Sequence, residues 1–175
     1  MRIFQKLSAA DFVNSISMAL ACLIAYWVNT SLLSAIVGRG DDLLGGMWAA
    51  VAAAFVFRDT RQNSLSAGTA RLIATSVSFA LCLTFLWLFP PSAVGMGILL
   101  AAGALVMIAL DRRGDVITTA ITTAVVMVVA ILNPAAAAQQ PVLRLFDTIV
   151  GISIGVSCKW IASLLFYRVV RPAER

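Results

Sequence analysis

Histidine is absent from the 175 residues, and glutamate occurs once, at Glu174 in the C-terminal tail. Without an imidazole there is no general base for a Ser-His-Asp arrangement and no histidine ligand for zinc. An enzyme here would need Asp-only or Lys-based chemistry. We therefore assign no catalytic residue, no metal ligand and no bound cofactor. No glycine-rich phosphate loop occurs. Charged residues are only 12% of the chain, where soluble domains carry about a quarter. The formal net charge is +5, but no basic cluster is interleaved with aromatics, so nucleic acid is not an expected partner. Three cysteines, Cys22, Cys82 and Cys158, each lie in an apolar run without CxxC spacing. They read as small buried hydrophobes.

What is abundant is apolar surface. Hydrophobic residues make up 61% and the mean hydropathy is +0.97. A soluble core of this length could not hide so much, so the expected solvent is a lipid bilayer. The fold class expected is an all-α integral membrane protein, one domain over residues 1–175 with six transmembrane helices. Ala21-Cys22 has the look of a lipoprotein cleavage site. The stretch before it holds Asp11, Asn14, Ser15 and Ser17, a poor signal core, so the first span is expected to stay uncleaved. Short tails are expected at 1–11 and 168–175.

The spans follow from apolar runs and their breaks. Span 1 covers about Phe12 to Val37 and ends in the turn Gly38–Asp42. Span 2, from Gly46 to Phe57, is only about a dozen residues, or roughly 18 Å, against a hydrocarbon core of about 30 Å. It breaks into a charged turn with Arg58, Asp59 and Arg61, so it either dips into the membrane or is sheltered by protein. Span 3 covers about Leu65 to Phe89, with Ser64 a candidate cap and Pro90-Pro91 a firm stop. Span 4 covers about Val94 to Leu110, where Gly95, Gly97 and Gly103 allow close helix approach. Span 5 covers about Val116 to Leu132. Asn133 to Pro141 reads as the longest loop, and span 6 covers about Leu145 to Tyr167.

Six spans put ten Lys and Arg on one side: Arg2, Lys6, Arg58, Arg61, Arg71, Arg112, Arg113, Arg168, Arg171 and Arg175. The other side holds Arg39 and Arg144, with Lys159 left inside span 6. Positive charge favours the cytoplasm, so both termini are expected there.

Ionisable residues inside a span are costly, about 2.5–3.5 kcal/mol on insertion scales, and default to functional candidates. Lys159 lies about eight residues before the end of span 6. Snorkelling, a cation site in a water-filled path, and a buried pair with an Asp all fit it. Arg71 is about as deep on span 3. It is either one half of an ion pair with Asp11, Asp59, Asp111 or Asp115, or joins Arg58 and Lys159 in a positive cytoplasmic mouth that gathers anions. Arg144 and Asp147, three apart at the outer start of span 6, are either a local ion pair or part of an outer gate. Asp147, Gly151, Gly155 and Lys159 form one slowly rotating stripe, with the GxxxG of Gly151 and Gly155 a packing signal first. Thr118, Thr119, Thr122 and Thr123 share one side of span 5, for packing or for lining a pore. Thr118 and Thr122 are the path candidates.

From Trp48 to Thr75 the chain resembles the fusaric acid resistance protein-like (FUSC) and aromatic acid exporter families. It is also similar to the hairpin of plant aluminium-activated malate transporters. The shared pattern is Trp48 opening a short apolar run, a polar turn, then Leu65, Gly68, Arg71 and Thr75. Arg144-Leu-Phe-Asp147-Thr148 with Gly151 and Gly155 is a second echo. Arg58 stands where those relatives often carry an uncharged or acidic residue, and Ala74 and Ser78 replace common glycines. The resemblance implies export or passive conduction of organic anions, aromatic carboxylates included, with Arg71 the carried-over site residue. It also implies a homodimer or larger assembly in a bacterial inner membrane. The large cytoplasmic domain of longer relatives has no counterpart in these residues. The competing class is a non-transporting membrane subunit or scaffold working with a partner protein.

Overall fold

The computed structural model describes residues 9–36 and 42–170. The turn expected over Gly38–Asp42 lies outside them apart from Asp42, as do Arg2, Lys6, Arg39, Arg171, Arg175 and the side chain of Arg168. Among the described residues there are six α-helices and no strand: α1 (Ala9–Ile36), α2 (Asp42–Val56), α3 (Arg61–Leu88), α4 (Ala93–Ala109), α5 (Val116–Leu132) and α6 (Gln140–Val170). Four stretches are long and apolar enough to cross a membrane: Asp11–Leu32, Arg61–Leu88, Arg113–Leu132 and Pro134–Leu164. The helices α2 and α4, with 15 and 17 residues, are shorter. At 1.5 Å per residue they reach about 22 and 25 Å.

The boundaries have local causes, and three differ from expectation. Thr60, not Ser64, caps α3: its hydroxyl accepts the Asn63 backbone N–H at 3.1 Å. The Ser64 hydroxyl instead accepts the Arg58 N–H at 3.0 Å and closes the turn between α2 and α3. The expected loop Asn133–Pro141 is a 3-10 turn, Pro134–Gln139, running directly into α6. Pro141 sits in the first turn of α6, where its missing N–H costs nothing. Arg144 and Asp147 therefore lie inside a helix rather than at its start.

Other ends agree with the sequence. Ser92 caps α4 by accepting the Gly95 N–H at 3.1 Å. At the far end Asp111 takes φ 56. The Arg112 N–H bonds Met107 O at 2.9 Å and the Asp111 N–H bonds Ile108 O at 3.0 Å. This is a Schellman stop with Asp in the left-handed position usually held by Gly.

The chain divides into two compact units. The first comprises residues up to Gly68 and from Val150 onward. Its core is small: Ala25, Ala49 and Ala53, with Cys22 and Ile154 against them. Small residues let backbones approach. A Cβ at Gly151 would strike the Ala49 carbonyl and the Ala52 Cβ, and one at Gly155 would lie 3.0 Å from Ala53. Gly46 meets Tyr26 and Thr30 in the same way. The short α2 is thus held by α1 on one side and α6 on another, the sheltered alternative for a run too short to span alone.

The second unit comprises Thr69 to Ile149. Cys82, Leu99, Val126 and Met127 form its core, flanked by Leu81, Phe85, Leu86 and Met96. Gly103 accommodates Thr119, and Gly95 accommodates Phe85. Gly97 has nothing within 4 Å, so the close approach expected there is not made. Large apolar side chains face outward in both units, Trp27 at 66% and Leu105 at 68% exposure among them. Apolar exposure on this scale is matched to lipid rather than water.

Candidate functional site

Three helices bury polar stripes. On α3 the buried positions are Ser64, Gly68, Arg71, Ala74, Thr75, Ser78 and Cys82, alternating by three and four along one face. Arg71 is the only long side chain among them. On α6 they are Gln140, Pro141, Arg144, Asp147, Thr148, Gly151, Gly155 and Lys159. On α5, Thr119, Thr122 and Thr123 are buried at the start, with Val126, Met127 and Ala130 following. A bilayer-facing helix would bury apolar residues at such positions. These bury groups that need partners.

In the second unit, Arg71 is 9% exposed, Arg144 6% and Asp147 3%. The Arg144 guanidinium lies 3.7 Å from the Asp147 carboxylate, an ion pair one turn apart on α6. Arg71 lies within electrostatic range of Arg144. Each arginine is ten residues into its candidate span, Arg71 from Arg61 and Arg144 from Pro134. Two buried guanidinia and one buried carboxylate therefore share this unit.

Hydroxyls surround them in sequence. The Thr148 hydroxyl donates to Arg144 O at 2.9 Å. Ser78 and Thr123 hydroxyls are 2.9 Å apart and join α3 to α5. Of the two threonines singled out on α5, Thr122 is buried and its hydroxyl donates to Thr118 O at 2.9 Å, while Thr118 is half-buried. That hydrogen bond uses the donor and leaves the oxygen lone pairs for another donor. Gln140, expected in a loop, is 6% exposed, and among the described residues its amide nitrogen Nε2 has no hydrogen-bond partner. An orphaned buried donor one turn from Arg144 is the kind of group that a bound acceptor satisfies.

The remaining candidates fall in the first unit. Lys159 is 6% exposed. Its Nζ donates to Asn14 Oδ1 at 2.6 Å and lies 4.9 Å from the centre of the Phe57 ring. Asp59 is within electrostatic range. A cavity of about 310 Å³ opens here, lined by Asp11, Val13, Asn14, Ser17, Asp59, Lys159, Ala162 and Ser163. Its lining carries the carboxylates of Asp11 and Asp59 beside the Lys159 ammonium. Arg58 is exposed and does not line it. Arg71 belongs to the other unit. Gly151 and Gly155 pack against Ala49 and Ala53.

Sequence reading missed Gln140 and the Ser78–Thr123 bridge. The first was hidden by neighbouring Pro141. The second pairs hydroxyls 45 positions apart, which no local spacing shows. Asn14 was flagged only as polar in a span.

The polar hairpin with a buried arginine, and the Arg-Asp pair on a glycine-bearing last helix, are matched by a sequence-family profile described as fusaric acid resistance protein-like, over residues 20–158. The chain belongs to the fusaric acid resistance protein-like family. No curated protein and no solved structure gives a match. Membership carries a membrane-transport function and a multi-pass membrane location. The matched range includes α2 to α5 entirely, with Arg71, Gln140, Arg144 and Asp147 inside it, and ends one residue before Lys159.

Proposed function

We propose that this chain exports organic anions, aromatic carboxylates among them, across a bacterial inner membrane. It does so as a homodimer or larger assembly of six-span, single-domain subunits with both termini in the cytoplasm. The carrying observation is the second unit's buried pair of arginines. Arg71 and Arg144 are both buried in this unit with one buried carboxylate, Asp147, and the Gln140 amide lies one turn from Arg144 on α6. Like charges buried together repel, and an anion entering between them relieves that repulsion. At 4 Å a unit charge is worth about 1 kcal/mol in bulk-like water and about 4 kcal/mol in a partly dry site. A tenfold occupancy change needs only about 1.4 kcal/mol. Thr118 and Thr122 add hydroxyl oxygens along α5, and Asp147 limits how tightly the anion is held. Arg58 and Lys159, in the first unit, serve in this reading as entry-side charges.

The second reading is a non-transporting subunit or scaffold. The Arg144–Asp147 ion pair and the threonine hydroxyls spent on their own helix favour it, because both are structural uses of polar groups. Purified protein in liposomes separates the two. Saturable flux across a panel of aliphatic and aromatic carboxylates, abolished in Arg71→Gln at normal expression, is the outcome expected for transport. No flux for any carboxylate, with one protein co-purifying at fixed ratio, overturns it in favour of the scaffold.

A further inference from the structure

The cavity in the first unit is independent of the arginine pair, and its charge pattern is different. It is walled by α1 through Asp11, Asn14 and Ser17, by the α2–α3 turn through Asp59, and by α6 through Lys159 and Ser163. The ammonium is on the inner wall, 6% exposed, while both aspartates are exposed. Of the three Lys159 N–H donors, one goes to Asn14. Among the described residues no carboxylate lies within ion-pair distance of Nζ. A simple anion entering here meets the Asp59 carboxylate, and a simple cation meets the ammonium. A ligand that carries an anionic oxygen group inward and an ammonium outward meets complementary charge at both ends.

We propose that this cavity binds a zwitterion of phosphoethanolamine chemistry, its phosphate on Lys159 and its ammonium at Asp59. The volume of about 310 Å³ is at the small end of ligand pockets, suited to a headgroup rather than a large solute. The level is also that of headgroups. Asp11 opens the candidate span Asp11–Leu32, Asp59 stands just before Arg61–Leu88, and Lys159 lies near the end of Pro134–Leu164. The wall is braced: Arg61 Nε donates to Ser163 at 2.9 Å, and its guanidinium lies 5.5 Å from the Trp160 ring centre. Next to the lining residues, Phe12 and Ile161 turn exposed apolar side chains outward, a path for acyl chains. The same chemistry could arrive as an aminophospholipid or as the free zwitterion.

The test uses the full chain. Native mass spectrometry of protein released from nanodiscs with equal phosphatidylethanolamine and phosphatidylglycerol reads the lipid source. Wild type is expected to retain phosphatidylethanolamine at least threefold over phosphatidylglycerol. Lys159→Gln should cut that retention at least threefold. Asp59→Asn, an exposed change that does not threaten folding, should remove the preference between the two lipids. In parallel, millimolar O-phosphoethanolamine added to delipidated protein reads the free source as a rise in Tm. A rise that inorganic phosphate and ethanolamine do not reproduce, without lipid retention, assigns the site to the free zwitterion. Equal retention of both lipids with no specific Tm rise overturns the proposal, as does retention unchanged in both variants. A Tm rise with phosphate alone also overturns it, leaving a simple anion site. None of these readouts involves carboxylate flux.

Discussion

Lys159 on α6 and Asn14 on α1 are joined by a hydrogen bond of 2.6 Å, between residues 145 positions apart. The buried ammonium is held by a neutral amide oxygen, and among the described residues no aspartate lies within ion-pair distance of it. Hydrogen bonds to charged groups contribute about 1.5–3 kcal/mol, and losing the acceptor leaves a buried charge short of a partner. Asn14→Ala should therefore lower the melting temperature. Lys159→Met should reduce that penalty when combined with Asn14→Ala. A thermal double-mutant cycle in detergent checks this, and strictly additive losses would show that the pair is not coupled.

The glycines of α6 give a graded series. A Cβ at Gly151 meets backbone and a neighbouring Cβ, whereas at Gly155 the nearest approach is 3.0 Å and at Gly97 there is nothing within 4 Å. Overpacking costs about 1–3 kcal/mol. Gly151→Ala should destabilise most and Gly155→Ala less. Gly97→Ala should be neutral or stabilising, by up to about 1 kcal/mol from helix propensity. Melting temperatures of the three variants decide it. A destabilised Gly97→Ala would contradict the packing described.

The second unit's two arginines call for separate tests. Arg144→Gln removes the guanidinium 3.7 Å from the buried Asp147 carboxylate, a loss of about 3–5 kcal/mol for a broken buried pair. Poor expression or a low Tm is expected, restored by Arg144→Met combined with Asp147→Leu. Arg71→Gln should instead reduce carboxylate flux tenfold or more at low solute, and Arg71→Lys should recover part of it. Flux and Tm measured together separate these roles; wild-type flux in Arg71→Gln would remove the anion site.

Topology can be read by labelling from outside. Ala137 is only 7% exposed, so a cysteine there would react poorly whatever its side. Ala138 is exposed, and Arg113 is exposed at the other kind of turn. With both termini cytoplasmic, Ala138→Cys should label and Arg113→Cys should not, in a background lacking native cysteines. Reversed labelling would invert the orientation.

The residue pattern by itself determined the class of solvent, the number and order of helices, and the helix faces that carry polar residues. Apolar runs are long and local, so α5 was legible at both ends, from Val116 to Leu132. The stripe Asp147, Gly151, Gly155 and Lys159 was legible because helical spacing is local too, and all four are buried. Hydropathy was a poor guide where a helix is polar or begins with proline. Hence Arg61 is expected in the turn and Gln140 and Pro141 in the loop, although all three belong to helices.

Only the tertiary structure decided the partners. Local spacing cannot say whether a lysine meets Asn14 or an aspartate, because the choice depends on how α1 and α6 are brought side by side. It cannot say whether GxxxG packs within a protomer, and here the answer is the α2 backbone at Ala49 and Ala53. Nor can it assign Arg71 and Lys159 to compact units, since both lie about equally deep in their spans. Which charges share a compact unit is set by helix packing across the chain, and packing joined Arg71 to Arg144 and Lys159 to Asn14.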